Sequence, residues 1–353
     1  MKVGIAMGPA PPFAPMARRV AKLSDAGFGS FWWPDHLVAF HSRELWATGG
    51  LAEVQPDPNV YADPFVCMAA CAASTPDGLL GVCVTDAIRR MPATLAQTVM
   101  TLDHLAPGRI VLGLGAGELA NYGPYGLSVK SPATVLENAA AQIRRLIDDP
   151  GPDEAGAVLG IRPPEGSRGP QLWLAAHGPR GLAATGRYAD GWIPNWLPVE
   201  GWRAGRDAVA RAAQDAGRDP SVLTYALSVQ VVVQPTHEQA VELLEHPVLK
   251  AFALLLPPER FAEVGAEHPL EGGGLHHMVA SAMGAEQLEA ARAVPSEVVR
   301  SLYLHGTPAE VVEQIRAYGD PDHVVLWDPV PLADLSAGRA AGEGCAEIVR
   351  LLA

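Results

Sequence analysis

Two residues with the chemistry of proton transfer, His36 and Glu118, each stand just past an apolar run of strand length, in residues 29–36 (GSFWWPDH) and 109–118 (RIVLGLGAGE). An imidazole titrates near neutral pH, and burial can raise a carboxylate toward the same range, so together they form a candidate acid-base pair. Each residue alone has a plainer role, His36 as a structural hydrogen-bonder and Glu118 as a loop cap. A third stretch, residues 171–192 (QLWLAAHGPRGLAATGRYADGW), reads as a strand, an abrupt turn at His177, Gly178 and Pro179, and a helix from Arg180. Pro179 suits the first helical turn, where its missing N–H costs nothing. The free N–H groups of that turn, the helix dipole and Arg180 would hold a phosphate or another anion. An ordinary strand-to-helix turn is the alternative.

The elements that must position these groups alternate along the chain. Strands are expected at residues 2–8, 29–36 with Asp35 and His36 at its end, 79–85, 109–117, 171–176, 191–196, 225–233 and 323–327. Helices are expected between them at 14–26, 64–73, 92–105, 135–147, 180–189, 201–216 and 337–352, with Ser131 placed to cap the fourth. Eight strands alternating with helices predict an α/β fold, a (β/α)8 TIM barrel whose chemistry belongs at the C-terminal ends of the strands. The candidate polar residues respect that rule. Asp35 and His36 follow strand two, Thr85 and Asp86 strand three, Glu118 and Asn121 strand four, and His177 strand five. Gly113, Gly115 and Gly117 suggest a dinucleotide fingerprint, but the third glycine is one residue early and no helix opens directly behind it. Closely spaced glycines would instead let a flat ring approach the backbone.

The 353 residues are 48% hydrophobic with mean hydropathy +0.10, enough for one barrel domain over 1–353 with loop insertions at about 37–63 and 257–295. Loop 37–63 reads as a lid, with Leu45, Trp46, Leu51 and Tyr61 as candidate substrate contacts and Trp46 equally a packing residue. The second insertion contains a Gly-rich break at 271–274. A net charge of −13 opposes nucleic acid and anionic membranes, so an anionic ligand needs a local cation cluster, for which Arg89, Arg90, Arg180 and Arg187 are candidates. Cys67, Cys71, Cys83 and Cys345 have neither CxxC nor zinc-ligand spacing and are expected to be reduced core residues, with no metal bound. The first residues lack the zones of a signal peptide and no apolar run reaches about 18 residues, so a soluble cytoplasmic chain without membrane insertion is expected.

Residues 33–36 (WPDH), 80–87 (LGVCVTDA), 113–118 (GLGAGE), 174–180 (LAAHGPR), 184–190 (ATGRYAD) and 215–220 (DAGRDP) closely resemble the luciferase-like barrel oxidoreductases that use the deazaflavin coenzyme F420, nearest the branch of the phthiodiolone ketoreductases. The resemblance implies that Asp35 and His36 line the deazaflavin site and that His36 and Glu118 are the proton-transfer residues. It implies a cis peptide at Cys83–Val84 against the deazaflavin face, with Thr85 and Asp86 beyond it. It also implies that Ala116, Asn121, His177, Gly178, Pro179 and Arg180 hold the ring edge and phosphate tail. Ala116 stands where the sugar-phosphate dehydrogenases of the family carry a hydroxyl, and no cation set for a sugar phosphate is evident, so such a substrate is not expected.

The expected activity is hydride transfer from reduced F420 to a ketone, enone or imine of a hydrophobic small molecule, in a homodimer as is common in the family. The rivals are an FMN-dependent luciferase-like monooxygenase and, from another class, a non-catalytic deazaflavin-binding protein.

Overall fold

The computed structural model describes residues 1–8, 11–75, 77–149, 151–271, 273–275 and 278–353. Its strands are β1 (Lys2–Ala6), β2 (Ser30–Trp33), β3 (Leu79–Asp86), β4 (Ile110–Gly115), β5 (Gln171–Ala175), β6 (Gly191–Trp192), β7 (Thr224–Val233), β8 (Tyr303–Gly306) and β9 (His323–Trp327). All pair in parallel, in the order β6-β5-β4-β3-β2-β1-β9-β7, and a β6–β7 pairing closes the ring. Between them run α1 (Met16–Asp25), α2 (Pro64–Cys71), α3 (Pro92–Leu105), α4 (Pro132–Asp148), α5 (Pro179–Tyr188), α6 (Val199–Asp215), α7 (Pro308–Ala317) and α8 (Leu335–Leu352). The result is the expected (β/α)8 TIM barrel.

Local chemistry explains most boundaries. Proline fills the first turn of α2, α3, α4, α5 and α7, where a missing N–H is harmless. Asp63, Ser131 and Asp334 accept backbone N–H groups at the starts of α2, α4 and α8. The sixth strand is shorter than expected, because Pro194 has no N–H to give a ladder and only an isolated Asn195–Ser228 bridge follows. Strand β8 was not expected at all. It pairs with residues 230–233, where the ten-residue β7 outruns β9, and its four residues are too few for a periodic signal.

Inside the ring, Trp32 and Trp173 lie 5.2 Å apart, walled by Leu79, Val111, Ile193, Ala226 and Val325. Trp32 donates to Ser30 Oγ at 2.7 Å, and Ser30 Oγ bonds His323 Nε2 at 2.7 Å. Burial, then the charges of Lys2 and the N-terminus, drive His323 down to about 3, so this imidazole is a neutral part of the core. The half-buried Cys83, Val84, Ala175 and Trp327 sit on that plug at the C-terminal strand ends and form the floor of the mouth. The Cys83–Val84 peptide is cis, and the β3–β4 register slips between Val82 and Thr85. That slip accounts for two of the closely spaced glycines. A Cβ on Gly113 would collide with the Val82 carbonyl oxygen, and one on Gly115 would lie 2.8 Å from Val84 Cγ2. On the Cβ side of these two glycines the space is taken by β3.

A second core cluster joins Leu45 of the 37–63 loop with Leu244, Val248, Phe261, Ala291 and Val299. Leu45 and Trp46 are buried, so both are packing residues of the 37–63 loop. Gln287, fully buried on helix Ala285–Ala293, clasps the lid: its Oε1 accepts Ser42 N–H at 2.6 Å and its Nε2 donates to the Phe40 carbonyl at 2.6 Å. His41 Nε2 reaches the Val248 carbonyl oxygen at 3.0 Å, and burial lowers this histidine to about 4. The connection 148–170 is fastened through Asp103, which accepts from Ser167 Oγ at 2.6 Å, and through Arg162, which donates to the terminal carbonyls of α4. Pro150 in that connection and Gly272 in the Gly-rich break lie outside the described residues. All four cysteines are free thiols, as expected.

Candidate active site

Strands β2 and β4 end side by side across β3, which brings His36 and Glu118 to one place. His36 Nδ1 lies 3.3 Å from Glu118 Oε2, with both side chains mostly buried. Glu118 precedes the short helix Leu119–Tyr122 but makes no side-chain cap bond, so its carboxylate is not the loop cap that sequence allowed. Asn121 completes the group, its Nδ2 lying 3.0 Å from His36 Nδ1 and 3.0 Å from Glu118 Oε2. Its Oδ1 accepts the N–H groups of Leu37 at 2.6 Å and Val38 at 3.1 Å. The Asn121 amide is therefore engaged on every side within the protein, whereas the resemblance assigns it to the cofactor ring edge.

Aromatic edges enclose the imidazole. Phe40 and Tyr61 from the lid loop stand 5.0 and 5.4 Å from the His36 ring, both T-shaped. Phe252, in the turn Ala251–Leu255, backs Phe40 at 6.3 Å. Burial, then the charge of Glu118, pushes the Tyr61 phenol above its ordinary value, so it is a proton-bearing wall at neutral pH. Phe40 and Phe252 escaped the sequence reading. Phe40 lies four residues past His36 in a stretch without periodicity, and Phe252 joins it only through tertiary packing.

Asp35, buried beside His36, has no free oxygen. Oδ2 accepts from Thr85 Oγ1 at 2.6 Å and Arg90 Nε at 2.7 Å, and Oδ1 accepts from Arg90 Nη2 at 3.0 Å. Arg89 adds a bond to the Asp35 carbonyl at 2.6 Å and a charge contact to its carboxylate at 3.5 Å. Burial alone would raise this carboxyl, but Arg90, Arg89 and Thr85 outweigh it and hold it below the usual carboxylate range. Asp86 binds Arg89 Nε at 2.7 Å and accepts the Ile88 and Arg89 N–H groups, fixing the turn after β3. Asp35, Thr85 and Asp86 thus act on the site by holding the His36 turn and the β3 exit in place. Cys83 is part of the same floor, and burial pushes its thiol up to about 12, which holds it as the neutral thiol near pH 7.

The strand-five loop lies on the same rim and is open. His177, Gly178, Pro179 and Arg180 are all exposed, the start of α5 has no side-chain cap, and nothing stands within 4 Å of a Cβ built on Gly178. His177 Nε2 bonds the Asn195 carbonyl oxygen at 3.0 Å, tying this loop to the exit of β6. The expected cation cluster is not free. Arg90 also binds Asp63 at 2.9 Å, while Arg180 and Arg187 share Glu137 at 2.5 and 3.4 Å. The start of α5 is left with uncapped backbone N–H groups beside an Arg180 already paired with Glu137. Ala116 is half-buried against the barrel-helix core beside Gly117, whose φ of +82° turns the chain toward Glu118.

No helix among the described residues is long and apolar enough to cross a membrane. Comparison with known proteins agrees with this fold. The phthiodiolone/phenolphthiodiolone dimycocerosates ketoreductase of Mycobacterium bovis (strain BCG / Pasteur 1173P2) is 36% identical over 315 residues, spanning 84% of this chain and 82% of its own. A solved F420-dependent secondary alcohol dehydrogenase, in complex with an F420-acetone adduct, has the same fold with TM-score 0.74 at 20% identity over 99% of each chain. The coenzyme F420 dependent tetrahydromethanopterin reductase from Methanopyrus kandleri does so with TM-score 0.70 at 18% identity over 97% of each chain. The profile of the family described as luciferase-like monooxygenase matches residues 1–321, and with the barrel and its mouth described, the chain belongs to that family.

Proposed function

We propose that this enzyme is an F420-dependent reductase acting on the ketone, or the related enone or imine, of a hydrophobic small molecule. The observation that carries the reading is the His36–Glu118 pair, held 3.3 Å apart beside an apolar floor and aromatic walls. The residues present fit a flat group with an anionic tail. Cys83, Val84, Ala175 and Trp327 offer a face, and the open turn at Gly178 with the uncapped N–H groups of α5 offers an anion seat. Reduced F420, when bound, supplies a hydride from its C5. The chain does the rest: its floor orients, the Phe40 and Tyr61 edges exclude water, and His36 or Glu118 delivers the proton to the substrate oxygen. The 36% identical relative named as a ketoreductase, and the acetone adduct in a structural neighbour, favour a carbonyl substrate.

Fluorescence quenching on mixing the protein with F420 and with FMN, followed by a ketone, enone and imine panel scored by loss of reduced F420, tests this. F420 binding with turnover that His36→Ala or Glu118→Ala abolishes is the expected result. Preference for FMN with oxygen consumption would favour the monooxygenase reading, and F420 binding without turnover of any panel member a carrier.

A further inference from the structure

Asn121 stands between the two proton-transfer candidates, and its orientation is not ambiguous. The oxygen Oδ1 must face Leu37 and Val38, because both present N–H groups at 2.6 and 3.1 Å, and the reversed amide would set its own NH2 against two donors. The two protons of Nδ2 therefore point the other way. One meets Glu118 Oε2 at 3.0 Å and the other His36 Nδ1 at 3.0 Å. A donor at that distance requires a lone pair on Nδ1. Were Nδ1 protonated, two N–H groups would face each other and the imidazole would be left with the longer 3.3 Å approach to Glu118.

We propose that Asn121 is a positioning residue that fixes the neutral tautomer of His36, keeping Nδ1 as an acceptor and the ring proton on Nε2. Among the described residues none hydrogen-bonds Nε2: Asn121 and Glu118 both approach Nδ1, and the Phe40 and Tyr61 edges flank the ring. The proton is thereby presented on the side of the imidazole away from its protein partners. This deepens the proposed function and rests on it only for its catalytic consequence; the tautomer itself is a property of the protein without cofactor.

The test is a long-range 1H–15N correlation spectrum of 15N-histidine-labelled protein at alkaline pH, without F420, with His36 assigned by the signals missing in His36→Gln. Wild type is expected to show an unprotonated Nδ1 and a protonated Nε2 as the major tautomer, the 3.0 Å bond from Asn121 outweighing the longer 3.3 Å approach to Glu118. Asn121→Leu should lose the preference, and Asn121→Asp, which sets an acceptor against Nδ1, should move the proton to Nδ1. A wild-type proton on Nδ1, or an unchanged preference in Asn121→Leu, overturns the proposal. If Asn121→Leu does not fold, a proton that stays on Nε2 in Asn121→Asp overturns it equally. A protein with the Nε2 tautomer that never oxidises reduced F420 would sink the proposed activity and leave the tautomer assignment standing.

Discussion

Replacing Asp35 by Asn tests whether the His36 turn is held by charge. The substitution preserves volume but removes the anion from a site where the carboxylate is 3% exposed and bound by Thr85, Arg89 and Arg90. Removing one partner of a buried ion pair costs about 3–5 kcal/mol, mostly because the other charge is left uncompensated. Arg89 keeps Asp86 and Arg90 keeps Asp63, so the lower end applies, about 3 kcal/mol. Urea titration should show the midpoint fall with an unchanged slope. The pH dependence follows from sign. The folded carboxyl lies below its unfolded value near 4, so its stabilisation is complete above about pH 4 and is lost as pH falls through the folded value. The wild-type advantage over Asp35→Asn must therefore be constant near neutrality and shrink in acid. A loss under about 1 kcal/mol, or an advantage that grows as pH falls, would refute a charge-held turn.

Two further outcomes follow. On the proposed cofactor reading, Glu137→Gln releases Arg180 and Arg187 at the open end of α5, and F420 should bind roughly twofold to fivefold tighter, the worth of an exposed ion pair. The gain should vanish in 1 M salt, measured by fluorescence titration; a gain that survives salt would show that it is not electrostatic. Gln287→Ala leaves the buried Ser42 N–H and Phe40 carbonyl unpaired, and hydrogen exchange should report the amides of Leu45 and Trp46 opening more easily by about 1–3 kcal/mol. Exchange unchanged there, in a folded variant, would mean that the lid is held by its apolar packing alone.

What the chain determined locally is the ring and the addresses on it. Alternation of short apolar runs with 3.6-period helices needs only neighbours in sequence, and a parallel ring then places whatever follows each strand at one mouth. His36, Glu118, Asn121 and the 177–180 turn were legible for that reason. Partnership was not legible, because charge and hydrogen-bond pairing depend on distances that only folding sets: Arg90 meets Asp35 across 55 residues and Gln287 meets Ser42 across 245. Local rules read Arg89, Arg90, Arg180 and Arg187 as anion seekers, and tertiary packing handed each a carboxylate. They likewise read Gly113 and Gly115 as room for a ligand, where the Val82 carbonyl and the Val84 side chain of the slipped β3 stand close against them. Residue types set what each group can donate or accept, and the close packing of distant segments decided which of those capacities remain free for a substrate.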